Sequence, residues 1–183
     1  MTNQQPVITV SRGRRFACSP AAVLAFIVND NDQFLMLSHP RRQGTWEVVN
    51  GALEAEETVL EGVLREVHEE AGPHIEVQPL GLLHAYTFRY DDTARYMLSL
   101  SYLLAYRGGP IEPGDDMAGS RAKWLSLEEL FDDDTRVLIP PDEKWLFQRA
   151  IDLFHLWKDH PPTAEMLQPA RYLVSKNKHD LFE

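Results

Sequence analysis

GALEAEETVLEGVLREVHEEAGP, residues 51–73, is the stretch whose reading decides the fold. Leu60, Leu64, Val67 and Ala71 recur at helical spacing, which predicts an amphipathic helix from about Thr58 to Ala71 with one buried stripe. Gly72 and Pro73 end it: a glycine cap, then a residue that cannot continue the helix. Gly51 opens the stretch as a turn glycine, suited to a close approach between backbone and ligand. Glu66, Glu69 and Glu70 stand at i, i+3 and i+4, so their side chains share one face.

Three carboxylates on one face repel. Each like-charged pair at this spacing costs a helix roughly 0.2–0.5 kcal/mol. A shared hard divalent cation removes the repulsion, and Mg²⁺ and Mn²⁺ prefer such oxygen ligands.

The stretch resembles the signature of the Nudix hydrolases: glycine, five residues, glutamate, seven residues, then Arg-Glu-apolar-any-Glu-Glu-any-Gly-apolar. Gly51, Glu57, Arg65, Glu66, Val67, Glu69, Glu70 and Gly72 fill it, and Pro73 takes the last apolar place as a departure. Seven fixed residue types match; at roughly one in fifteen per position, a chance match in the chain is on the order of one in a million. A solvated charged face would explain any single glutamate, but not the set with both glycines.

The resemblance implies an α/β fold, an α/β/α sandwich with a mixed β-sheet. It implies Mg²⁺ or Mn²⁺ held by Glu66, Glu69, Glu70 and the backbone carbonyl of Asn50, where the family more often carries Pro-Gly than the Val49–Asn50 found here. Among the catalytic residues it implies Glu66 and Glu69. Arg65 is expected to pair with a carboxylate such as Glu57 and so orient the helix and its loop. The general base is left open between Glu66 and a residue of the acidic loop, Asp115 or Asp116 with Glu112 behind; Asp116 is the loop candidate. Arg41, Arg42 and Tyr90 are the expected substrate contacts. Tyr90, 17 residues past Pro73, resembles the tyrosine of dinucleoside polyphosphate hydrolases; the proline cue of ADP-ribose hydrolases is missing, with Phe88 and Arg89 near its place. Tyr86, Phe88 and Tyr90 either stack a base or pack on the sheet.

Working outward, 183 residues with 44% hydrophobic content suffice for one domain with its own core. Eighteen basic against 28 acidic residues give −10, which argues against nucleic acid or an anionic membrane as partner. The single cysteine, Cys18, excludes an internal disulfide, fits a reducing compartment and reads as a small core residue. Arg12, Arg14 and Arg15 before an apolar run mimic a signal peptide, but Pro20 interrupts the run and no cleavage site precedes residues 29–32. A cytoplasmic protein with no membrane span is expected.

Residues 1–19 read as an N-terminal arm, 20–140 as the Nudix domain and 141–183 as a C-terminal helical extension packed on it. Ala21–Val28 and Phe34–Ser38 form a hairpin; residues 46–50 make a strand leading into Gly51, with Glu47 and Glu54 as surface residues. Residues 75–90 give one or two strands around a break at residues 79–81, and 95–106 a long central strand. Ser126 and Glu129 form a capping box for a short helix, and 142–158 is an amphipathic helix whose Trp145 and Trp157 are core or dimer-packing residues. A homodimer is plausible through this region.

The function expected is Mg²⁺-dependent cleavage of the pyrophosphate linkage in a nucleoside diphosphate linked to X: a nucleoside triphosphate, a dinucleoside polyphosphate, ADP-ribose or a nucleotide sugar. The alternatives are a non-catalytic nucleotide-sensing regulator of the same fold and an RNA-end pyrophosphohydrolase.

Overall fold

The computed structural model describes residues 7–9, 13–41, 44–91, 96–114, 117–138, 144–163 and 166. Arg12, Arg42, Asp115, Asp116 and the tail after residue 166 lie outside the described residues.

Strand β3 (Ala21–Val28) is the axis of the molecule. Its sequence, AAVLAFIV, is apolar without alternation because both of its faces are covered. It pairs in parallel with β8 (Met97–Gly108) along its whole length, and β8 pairs antiparallel with β7 (Glu76–Phe88). The sheet is therefore mixed. Its described strands number eight, running β10–β5–β4–β3–β8–β7, with β6 against β3 and β9 against β4. The remaining members are β4 (Phe34–Ser38), β5 (Thr45–Glu47), β6 (Val49–Ala52), β9 (Ala122–Leu125) and β10 (Arg136–Val137). Strands β1 (Val7–Thr9) and β2 (Arg15–Ala17) form a separate exposed hairpin.

The other edge of β3 is shared. Its first half, Ala22 to Ala25, pairs with β6, and its last residue, Val28, pairs with Phe34 of β4. Strand β4 then turns away to β9 and β5. Strand β6 thus has a ladder partner on one side only among the described strands.

Helix α1 (Val59–Ala71) covers one face of the sheet, where Val63, Val67 and Ala71 pack on Val23, Ala25, Ile27 and Leu104. Helix α3 (Trp145–Trp157) covers the other, where Phe147 meets Phe26 and Phe34 edge-on at centroid distances of 5.3 and 4.8 Å. This is the α/β/α sandwich expected. The short helix α2 (Leu127–Phe131) carries its Ser126–Glu129 capping box, with both reciprocal bonds made.

Several local expectations are corrected. Residues 46–50 are two strands, not one, because β5 pairs with β4 and β6 with β3. Of the one or two strands expected over residues 75–90 the structure has one, Glu76–Phe88, and the break at Pro79–Gly81 is a bulge within it. Cys18 is exposed rather than in the core, since it lies in the stretch before β3 enters the sheet. Glu47 is buried, at 4% exposure, because β5 turns it inward beside Asn50. Trp157 packs against the core as expected, and Trp145, at the start of α3, is half exposed with its ring against His84.

Candidate active site

The site is assembled where α1 passes beneath β6. The helix begins where Thr58 accepts a hydrogen bond from the Glu61 backbone and Glu61 accepts one from Thr58, a complete capping box. That fixes the helix phase and points residues 65, 66, 69 and 70 at the strand.

Gly51 is the contact point. A Cβ atom there would collide with the carboxyl group of Glu66, so only glycine lets that carboxylate lie against the backbone. Glu66 is half-buried, and desolvation raises its carboxyl above the ordinary carboxylate range; Arg65 pulls in the opposite direction without cancelling it.

Glu70 is buried, at 9% exposure, and its Oε2 accepts the Asn50 backbone N–H at 2.9 Å. In a strand the N–H and C=O of one residue point to the same edge. The Asn50 carbonyl therefore faces the outer edge of β6, the same side as Glu70.

Arg65 draws the site together. Its Nε donates to Glu57 Oε1 at 2.7 Å, its Nη1 to Glu66 Oε1 at 2.9 Å and to Glu69 Oε2 at 2.7 Å, and its Nη2 to the Ala52 carbonyl at 2.9 Å. Its hydrogen bond to Glu57 is the largest influence holding the guanidinium's pKa above its ordinary value, and the same bond holds Glu57 below the usual carboxylate range. Three carboxylates (Glu57, Glu66, Glu69) bond this one guanidinium, and with Glu70 on the Asn50 N–H the group carries a local charge near −3. Among the described residues, no three acidic, histidine or cysteine side chains converge closely enough to hold an ion as they stand. Glu66 and Glu69 are turned onto Arg65 instead.

Two supporting features escaped the sequence reading. Gly62, within α1, leaves space for the Leu53 methyl and the Glu57 carboxylate, which a Cβ would approach at 2.7 and 3.0 Å. An isolated glycine in a helical pattern was the available signal. The loop after β8 is also pinned to the helix end: Glu112 donates its backbone N–H to the Ala71 carbonyl at 2.8 Å, and a Cβ on Gly114 would stand 3.2 Å from the Glu69 carbonyl. Asp115 and Asp116 follow Gly114 in sequence and lie outside the described residues.

Across β6 from the carboxylates lies a cleft of about 460 Å³. Its lining includes Ala22, Asn50, Ala52, Phe88, Tyr90 and Met97. Tyr90 stands at its mouth, 67% exposed. Arg41 is exposed in the β4–β5 turn, its N–H donated to His39 Nδ1, and is not part of the lining.

The NUDIX domain matches residues 19–148, so the likeness runs past residue 131 into α3. The NAD-capped RNA hydrolase NudC of Vibrio parahaemolyticus is 33% identical over 116 residues, covering 61% of this chain and 40% of that protein. A MutT-like protein of Streptomyces ambofaciens is 32% identical over 107 residues, covering 58% of this chain and 64% of the relative. The chain thus spans less than two thirds of the length of either relative. A NUDIX hydrolase from Nitrosomonas europaea has the same fold, with a TM-score of 0.58 at 22% identity, covering 83% of this chain and 97% of that one. With the signature met at every position but the last on a helix-and-strand scaffold of this kind, the chain belongs to the NUDIX domain family.

Proposed function

We propose that this protein is a divalent-cation-dependent pyrophosphohydrolase that cleaves the phosphoanhydride of a nucleoside diphosphate linked to X. One observation carries the reading: one face of α1 turns Glu66, Glu69 and Glu70 toward β6, with Glu66 against Gly51, Glu70 on the Asn50 N–H and Glu69 on Arg65. The donor set fits a hard cation. It offers carboxylate oxygens and the Asn50 carbonyl, with no sulfur or imidazole, as Mg²⁺ or Mn²⁺ prefers. A bound cation would neutralise the diphosphate oxygens and acidify a coordinated water.

The chain's own residues divide the remaining work. The Asn50 N–H fixes Glu70 in place, and Arg65, held by Glu57, sets the direction of Glu69 and of the β6 edge. Glu66 is the base favoured among the described carboxylates, because its half-buried setting makes it more basic than an exposed glutamate. Asp116, two residues after Gly114 in the sequence, is the alternative base. Tyr90 meets the nucleoside end of the substrate at the cleft, with Arg41 and Arg42 as phosphate contacts from the β4–β5 loop. The single cysteine fits a cytoplasmic setting.

A non-catalytic sensor would have no need of all three motif carboxylates, and −10 is unfavourable for an RNA substrate. The test is a panel of nucleoside triphosphates, dinucleoside polyphosphates, ADP-ribose and nucleotide sugars with Mg²⁺, reading nucleoside monophosphate release. Release by the wild type and not by Glu69→Gln is expected. Equal release by both would remove these carboxylates from the chemistry.

A further inference from the structure

We propose that Arg65 is the resident counter-cation of the site: its Nη1 holds Glu66 and Glu69 together and releases both to a divalent cation, while the rest of the guanidinium stays on Glu57 and Ala52. This rests on the hydrolase reading for the nature of the cation. It makes Arg65 a positioning residue that exchanges partners, in place of a fixed brace.

The guanidinium carries five N–H donors in a rigid plane, and the bonds it makes number five. They fall into two sets. Nε donates to Glu57 Oε1 at 2.7 Å, and Nη2 donates to Glu57 Oε2 at 3.3 Å and to the Ala52 carbonyl at 2.9 Å. This set is a two-pronged ion pair plus a strand carbonyl, and its partners lie outside the glutamate face of α1. Nη1 makes the other set, to Glu66 Oε1 at 2.9 Å and Glu69 Oε2 at 2.7 Å. Those are two of the three carboxylates a cation would share.

The Nη1 set is the one built to exchange. Among the described residues no three acidic, histidine or cysteine side chains converge closely enough to hold an ion. Glu66 and Glu69 must therefore turn from Arg65 before they can share one with Glu70. Glu69 has room to turn, since its side chain is 39% exposed, against 12% for Glu66 set beside Gly51. Nor does the pairing serve the helix. Arg65 stands four residues before Glu69, the order that stabilises a helix less than its reverse. A guanidinium still bonded to these oxygens would repel a divalent cation on them. Once Nη1 has let go, Glu57 alone compensates the Arg65 charge, and Glu66, Glu69 and Glu70 are left to the cation.

The test follows the arginine side chains of the wild type by proton–nitrogen NMR as Mg²⁺ is added, with Arg65→Lys identifying the Arg65 signals. Two carboxylate bonds hinder rotation of Nη1, so its protons should resolve in the absence of Mg²⁺. Saturating Mg²⁺ is expected to broaden or merge them and to leave the Nε–H signal in place. Calorimetry with Mn²⁺ is the second readout. Arg65→Met removes the competitor and should bind Mn²⁺ about tenfold tighter or more, the worth of one charge-assisted hydrogen bond. Its thermal melt should also rise further with Mn²⁺ than that of the wild type. A fixed brace predicts the opposite direction, because losing a group that orients metal ligands weakens binding by about 10–100-fold. Mg²⁺ binding with the Nη1 signals unchanged, or weaker Mn²⁺ binding by Arg65→Met, would overturn the exchange and leave the hydrolase reading standing. A wild type that binds neither ion would remove both. Should Arg65→Met fail to fold, the wild-type titration decides alone.

Discussion

At the scale of single residues, the site depends on Gly51 as much as on any carboxylate. Gly51→Ala would place a methyl group where the Glu66 carboxyl lies. That carboxyl is the free end of a flexible side chain and would swing away. We expect the fold to survive, with loss of stability within about 1–3 kcal/mol, and turnover to fall by about 10²-fold or more, the scale of losing a positioned acid–base group. Thermal melting and steady-state rates together check this; a fully active variant would show that Glu66 has no need of its place against β6. Glu70→Gln keeps the acceptor for the Asn50 N–H and removes the charge. It should melt within a few degrees of the wild type and lose turnover. The glutamates were legible in the sequence because helical spacing alone puts residues 66, 69 and 70 on one face. The burial of Glu47 was not, because it follows from β5 and β6 being separate strands, which depends on their partners rather than on their own residues.

At the scale of elements, the entry to α1 sets where the carboxylates point. Thr58→Ala removes the hydroxyl that caps the helix and should cost about 1 kcal/mol by denaturant titration. The reciprocal partner, Glu61, is held below the usual carboxylate range first by the Thr58 side chain and then by its backbone N–H. A depressed carboxylate stabilises the fold at pH above its unfolded value and loses that contribution as pH falls through its folded value. The stability difference between wild type and Thr58→Ala should therefore shrink on acidification below the carboxylate range; a difference constant with pH would contradict the capping role of Glu61. Gly62→Ala separates stability from function. Alanine gains about 1 kcal/mol of helix propensity, and the atoms it meets, the Leu53 methyl and the Glu57 carboxylate, are ends of side chains that move readily. Stability should stay within about 1 kcal/mol of the wild type, while turnover falls because Glu57 no longer anchors Arg65. The capping boxes at Thr58 and Ser126 were legible from a three-residue spacing. The role of Gly62 was not, because it concerns the preceding loop, where Leu53 and Glu57 fold back onto the helix.

At the scale of the whole molecule, the last described helix belongs to the folding unit. Leu146, Phe147, Ala150, Ile151 and Phe154 are all buried against the sheet, and the family likeness enters this helix. We propose that the domain continues through α3 instead of closing near residue 140. Phe147→Ala should cost about 3–5 kcal/mol, since it opens a cavity beside Phe26 and Phe34. A chain cut before Trp145 should fail to show a cooperative melt. The sandwich was legible because β3 and α1 each declare their buried faces by pattern. The cleft was not, because its lining joins residues far apart in the chain, among them Ala22, Ala52, Phe88 and Met97. Phosphorus-31 NMR of a nucleoside diphosphate sugar incubated with the protein tests the central claim most directly. With Mg²⁺ the pyrophosphate resonances should give way to two monoester resonances, and neither excess chelator nor Glu69→Gln should allow the change. Monoester signals at the wild-type rate in chelator, or from Glu69→Gln, would contradict cation-dependent hydrolysis at these carboxylates.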